Sequence, residues 1–115
     1  MMATQILGTC EAILNGFKAG LKLDVMVDLL QKGFAGTVSL KKLGPPALER
    51  NFIGMLTVAD LCKNLAICLS EAKKMKISLP GAALAAQLYG SLMAKNKGDL
   101  GTQALLNVLE EMSNV

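Results

Sequence analysis

Histidine and tryptophan are absent from this 115-residue chain, and its only aromatic residues are one tyrosine and three phenylalanines. Without an imidazole, neither a Ser-His-Asp triad nor a Cys-His pair can be assembled. A zinc site would lack its commonest nitrogen ligand. Cys10, Cys62 and Cys68 show no C-x-x-C spacing, and the last two, six apart, lie on different sides of a helix. All three are expected to be small buried apolar residues in a reducing, cytoplasmic setting, with no metal site. The scarcity of rings leaves little for bases to stack on. The net charge of +3 is spread over Lys41–Lys42, Lys73–Lys74–Lys76 and Lys95–Lys97. No block has the length of a nucleic-acid patch. No run approaches the roughly 18 apolar residues of a membrane span. The N-terminal stretch lacks the basic segment of a secretory signal. An interfacial helix would need Lys/Arg-rich polar faces beside large aromatics, which are also missing. Neither nucleic acid nor membrane is expected as a partner.

What is present is apolar. Hydrophobic residues make up 52% of the chain and charged ones 18%, with a mean hydropathy of +0.43. The length suffices for one domain with one core. The apolar excess implies a surface that a partner, or a missing part of the protein, covers, so self-association as a dimer is expected.

Residues 57 to 80 are the organising stretch. Val58, Leu61, Leu65, Leu69 and Ala72 form one stripe on a period near 3.6. Thr57 fits an N-cap and Asp60 a capping-box acid. Lys73, Lys74 and Lys76 suit the negative end of the helix dipole, and Pro80 marks the stop. The expectation is a helix of about five turns serving as the central post. Its second face carries Lys63, Ile67, Ser70 and Lys74, with Asn64 beside Lys63. Lys63 can reach an anionic ligand lying against the helix, or it can be a solvated lysine paired with Asp60 at i, i+3.

Residues 3 to 19 pattern as a helix with Ile6, Cys10, Ile13 and Phe17 on one face and Gly20 as its stop. It starts in mid-pattern and without a cap, like the end of a longer helix. Gly8 and Gly16 either admit a neighbouring backbone or simply weaken the helix. A second helix opens with Asp24 as N-cap, buries Val25, Leu29 and Leu30, and ends at Gly33. Thr37 or Ser39 caps a short third helix through Leu43, which Gly44-Pro45-Pro46 interrupts. Asn51 to Met55 reads as an apolar loop that Phe52 and Met55 anchor in the core. Gly81 to Lys95 is alanine-rich, with Ala82, Ala85, Ala86, Tyr89, Leu92 and Met93 as a broad apolar face. Thr102 caps a last helix with Leu105, Leu106, Val108 and Leu109 inward and Glu110 and Glu111 outward. The fold class is all-α, a bundle of five to six helices.

Several blocks, in this order, resemble the C-terminal helical domain of the β-hydroxyacid dehydrogenases, the family of 3-hydroxyisobutyrate dehydrogenase and tartronate semialdehyde reductase. Glu11-Ala12-Ile13 followed by Lys18-Ala19-Gly20-Leu21 resembles the family's acid-bearing helix end. Asn51-Phe52 and Met55 resemble the segment before its ligand helix. Leu61-Cys62-Lys63-Asn64-Leu65 resembles its Lys-Asp-Leu signature. Leu79-Pro80 and Gly98-Asp99-Leu100 resemble the "lP" and "gdlD" blocks that follow. The resemblance covers essentially the whole chain.

It implies a superfamily fold like that of 6-phosphogluconate dehydrogenase. Residues 1–20 would be the distal part of the interdomain helix, and residues 21–115 the substrate and dimerisation domain. Full-length members carry an N-terminal Rossmann domain that binds NAD or NADP, and a catalytic lysine on the interdomain helix. Here no G-x-G-x-x-G occurs, and no position matches the G-x-x-x-K-x-x-N catalytic block. No catalytic residue is therefore carried over, and the isolated chain is expected to bind no cofactor and to be inactive. Lys63 matches the signature lysine at the cofactor. Asn64, in place of the usual aspartate, and Phe52 match positions on the side of the small hydroxy acid. Gly101 and Gln103 depart from the polar residues usual in the closing turn. The competing reading is a non-enzymatic helical module for self-association or interaction.

Overall fold

Helix α1 (Met2–Lys18) occupies the middle of the molecule, and the rest of the chain is laid around it. A computed structural model describes all 115 residues. After α1 come α2 (Leu23–Lys32), α3 (Val38–Leu48), α4 (Val58–Met75), α5 (Pro80–Ala94), a 3-10 turn (Thr102–Ala104) and α6 (Leu105–Met112). There is no strand, only an isolated bridge between Thr57 and Gly101. The all-α expectation of five to six helices is met.

The position of the central post is a correction. α1 packs against α2, α3, α5 and α6, whereas α4 packs chiefly against α5. The cause lies in the width of the apolar faces. α1 buries Ala3, Ile6, Leu7, Cys10 and Ile13, a band wide enough for neighbours on several sides. α4 buries the single line Val58, Leu61, Leu65 and Ala72, enough for one partner. At the far end of α1, Phe17 is exposed rather than inward. Gly16 there leaves room for the Met26 side chain of α2, whose sulfur would lie 2.5 Å from a Cβ at that position. Gly20 then takes the left-handed conformation expected of a stop, with φ +74°.

α2 is rotated from its expected setting. Lys22, not Asp24, is the N-cap, and Asp24 sits in the first turn, where its charge faces the positive end of the helix dipole. Val27 is the buried residue, flanked by the half-buried Leu23, Met26 and Leu30. Val25 and Leu29 face outward. α2 is apolar on two sides, so its periodicity alone could not choose between them.

α3 runs through Pro45 and Pro46 instead of ending before them. Two prolines deprive the carbonyls one turn earlier, on Lys41 and Lys42, of their donors. Both lysines are exposed, so water can take the place of those donors. Thr37, one of the two expected caps, accepts from Leu40 N at 2.9 Å.

The start of α4 is as expected. Thr57 Oγ1 accepts from Asp60 N at 3.2 Å, and Asp60 Oδ2 accepts from Thr57 N at 3.4 Å, forming a reciprocal capping box. Its end differs. Lys76 adopts a left-handed cap with φ 58°, and Ile77 N donates back to Ala72 O, so α4 stops short of Pro80. Pro80 opens α5 as its first residue, a position where the missing N–H costs nothing. Ala85, Tyr89 and Leu92 of α5 are buried as expected, while Met93 is exposed. The Tyr89 hydroxyl donates to Thr102 O at 2.9 Å. α6 buries Leu105, Leu106, Val108 and Leu109 as expected, but Thr102 begins the 3-10 turn without capping through its side chain.

The cysteines divide. Cys10 is buried, Cys62 half-buried and Cys68 exposed, and all three are free. Cys68 therefore departs from the buried expectation, because it lies off α4's single buried line. Burial pushes the Cys10 thiol up to about 12, and burial likewise raises Cys62 and the Tyr89 phenol.

Two measurements check this account. Thr57→Ala is expected to lower stability by about 1 kcal/mol in urea denaturation, with Thr57→Ser near wild type. The Cys10 thiol has a folded pKa above its unfolded value of 9.0. Above about pH 9 the native state thus holds a proton that the unfolded state has lost, so stability falls as pH rises toward about 12. Denaturation midpoints across that range should fall less steeply for Cys10→Ala than for wild type.

Candidate functional site

The segments singled out in the sequence converge at one corner, where the 98–103 stretch touches both the loop after α3 and the start of α4. Ala59 N donates to Gly98 O at 2.9 Å and Val58 N to Leu100 O at 2.8 Å, which satisfies two otherwise free amides of α4. On its other side the same stretch holds the Phe52 loop. Gly101 N donates to Phe52 O at 2.7 Å. Gln103 Nε2 donates to Asn51 O at 2.9 Å and to Ile53 O at 3.0 Å.

The loop itself is shaped by the way α3 ends. Arg50 takes a left-handed conformation, with φ 59°, and Asn51 N reaches back to Pro46 O at 2.9 Å. A non-glycine residue in this region carries a cost of about 1–2 kcal/mol. What Arg50 gains is the use of its side chain. Its guanidinium lies 5.0 Å from the centroid of the Phe52 ring. It also donates to Glu110 Oε1 at 2.7 Å, Glu110 Oε2 at 3.1 Å and Asn107 Oδ1 at 2.9 Å on α6. Because the arginine is about half exposed, solvent screens this pair, and geometry rather than energy is its main contribution. Phe52 is half-buried against the core, as expected, while Met55 is fully exposed and anchors nothing. Asn51 Oδ1 closes the loop by accepting from Ile53 N at 3.1 Å.

Lys63 and Asn64 stand one turn further along α4, on its exposed face. Lys63 makes no ion pair: the Asp60 carboxylate is turned back into the capping box. The structure therefore joins the three segments through backbone bonds and the Gln103 amide, and leaves the Lys63 and Asn64 side chains in solvent rather than closed in a cleft with Phe52.

A groove of about 420 Å³ borders this corner beside the start of α1, with Val38, Lys42, Met55 and Gln103 among its walls. Another of about 490 Å³ lies along the outer face of α2, walled by Leu21, Val25, Met26, Leu29 and Phe34. No group of three or more His, Cys, Asp or Glu side chains is placed to hold a metal ion. No helix is long and apolar enough to cross a membrane. The corner presents Lys63 and Asn64 as exposed side chains on α4 and Phe52 as a half-buried ring on the neighbouring loop.

Arg50 and Gln103 are the participants that sequence reasoning did not assign a role. Arg50 reads as one residue of a turn after two prolines, and Gln103 as a departure from a pattern. The partners of Gln103 lie about fifty residues away, beyond any local signal.

Residues 1–109 match the family described as NAD-binding of NADP-dependent 3-hydroxyisobutyrate dehydrogenase. A probable 3-hydroxyisobutyrate dehydrogenase-like protein 1, mitochondrial, of Arabidopsis thaliana is 43% identical over 99% of the chain and 34% of its own length. An uncharacterized oxidoreductase of Bacillus subtilis (strain 168) is 34% identical over 90% of the chain and 36% of its own length. The chain thus spans about a third of the length of the curated relatives it matches. Among solved structures, a 3-hydroxyisobutyrate dehydrogenase from Salmonella typhimurium superposes with a TM-score of 0.87 at 20% identity, over 93% of this chain and 38% of that one. That likeness establishes the fold. With its family pattern matched almost from end to end, the chain belongs to the NAD-binding helical domain family of the 3-hydroxyisobutyrate dehydrogenases.

Proposed function

We propose that the chain serves as the C-terminal helical domain of an NAD(P)-dependent 3-hydroxyacid dehydrogenase, supplying part of the substrate and cofactor cleft and a dimer surface. The observation that carries this reading is Lys63. It is an exposed cation without an ion-pair partner, one turn past a helix start that is hydrogen-bonded through the 98–103 stretch to the Phe52 loop. Residues 1–20 are then the distal part of the helix joining two domains, and residues 21–115 the helical domain. Lys63 meets the anionic cofactor through a charge-assisted hydrogen bond. Asn64 and Phe52 face the small hydroxy acid, Asn64 as a neutral donor and acceptor and Phe52 as an apolar wall that excludes water.

A dinucleotide fits this chain on one side only. No strand leads into a glycine-rich turn, and the start of α4 is filled by its own capping box. The phosphate cradle belongs to a Rossmann domain. NAD or NADP, when bound there, supplies the hydride exchange. The isolated chain binds no cofactor and turns nothing over. A reducing, cytoplasmic setting accords with its three free cysteines.

A second reading, a non-enzymatic module for self-association, draws on the apolar groove of α2 with its fully exposed Phe34. Both readings predict association of the free chain. Sedimentation at tens of micromolar is expected to give a dimer, and a clean monomer would remove the dimer surface from the proposal.

The enzymatic reading is tested by fusing the chain behind the Rossmann domain and catalytic helix of a 3-hydroxyisobutyrate dehydrogenase and following nicotinamide absorbance with 3-hydroxyisobutyrate as substrate. Turnover is expected, with Lys63→Ala raising the cofactor KM by about tenfold or more. A soluble fusion without turnover, or a Lys63→Ala variant with unchanged cofactor KM, argues for the module instead.

A further inference from the structure

We infer that Gln103 is the positioning residue of the Phe52 loop and that Gly101 is its necessary companion. Three consecutive carbonyls, those of Asn51, Phe52 and Ile53, are all bound by the short stretch from Gly101 to Gln103. The two hydrogens of the Gln103 amide straddle Phe52, one on the carbonyl before it and one on the carbonyl after. Gly101 N takes the carbonyl between them. The loop cannot slide along its own axis or roll over without breaking all three.

Gln103 is otherwise an odd occupant of this position. It is 1% exposed, the only buried side chain of its size that is polar and not aromatic. Its Oε1 is buried without a donor. That acceptor end is a liability, so the reason for an amide here lies in its donor end. The missing side chain at position 101 follows from the same arrangement. A Cβ on Gly101 would lie 2.5 Å from Gln103 Oε1 and 2.9 Å from Gly54 N, closer than atoms tolerate. The long amide at 103 therefore requires the bare backbone at 101, which the close approach of Gly54 N requires as well. Arg50 lies over the ring, held by Glu110 and Asn107. Phe52 is thus set in place before any ligand arrives. That the set ring then faces substrate rests on the proposed function; the clamp itself rests on these contacts alone.

The test uses the 115-residue chain. Gln103→Met keeps length and bulk and removes both donors. NMR reads the Phe52 ring shifts and amide exchange at Gly101, with Leu65 and Tyr89 in the helical core reporting global opening. The expected result is exchange at Gly101 faster by about tenfold or more, with Phe52 shifts moving toward those of a free ring. Exchange at Leu65 and Tyr89 should stay within about threefold. Unchanged Phe52 shifts, or a Gly101 rate that rises only in step with the core amides, would make Gln103 an ordinary core residue and overturn the inference. Gln103→Ser, which also lets water reach the carbonyls, gives the same readout should the methionine variant not fold. The pairing of 101 with 103 is read from melting temperatures. Gly101→Ala should lower Tm in wild type by clearly more than it does in the Gln103→Ser background. Equal losses would separate the two positions. None of these readouts involves turnover, so they stand or fall apart from the dehydrogenase reading.

Discussion

The burial of α1 is the constraint on which the remaining architecture depends. A helix with a wide apolar face cannot be covered by one neighbour, so α2, α3, α5 and α6 all settle on it, while α4 remains outside with α5 as its main partner. That division is useful for a site. The helix that carries Lys63 keeps most of its circumference free because its own apolar line is narrow. A more hydrophobic α4 would have been drawn inward and its lysine lost to packing.

This outer helix meets the core in two ways: Val58, Leu61 and Leu65 pack beside α5, and its first amides are bound by the 98–103 stretch. The 98–103 stretch donates, accepts and bridges on two sides, and most of its links run through main-chain atoms. Together with the Gln103 amide these links fix the loop, while the Lys63 and Asn64 side chains take no part in them and stand exposed on that frame. The charged pair of Arg50 and Glu110 adds orientation more than stability, since half of the arginine remains in water.

Much of the fold was legible where the signal was local. The Thr57–Asp60 capping box needs only four residues, and the inward leucines of α6 follow from their spacing. Local rules failed where packing competed with them. Pro45 and Pro46 should have broken α3, yet the carbonyls they orphan belong to exposed residues, where water can replace the lost donors. Val25 and Leu29 looked like the buried face of α2 because its other side is apolar as well. For Lys63 the sequence left open an anion contact or a solvated lysine paired with Asp60; the lysine is solvated but unpaired, because Asp60 is used in the capping box. Gln103 was out of reach altogether: nothing around it in sequence announces the carbonyls at Asn51 and Ile53.

The uneven burial of the cysteines has a practical side. Cys10 is sealed in the core with its thiol held neutral by burial, and Cys62 is partly covered and raised in the same direction. Cys68 alone stands open, on the same outer helix as Lys63 and just over one turn from it. The domain thus carries a natural attachment point for a fluorophore or spin label on the helix whose environment is in question. Whatever comes to cover that helix, whether a second domain, a second copy or a nucleotide, can be observed without engineering a new residue into the chain.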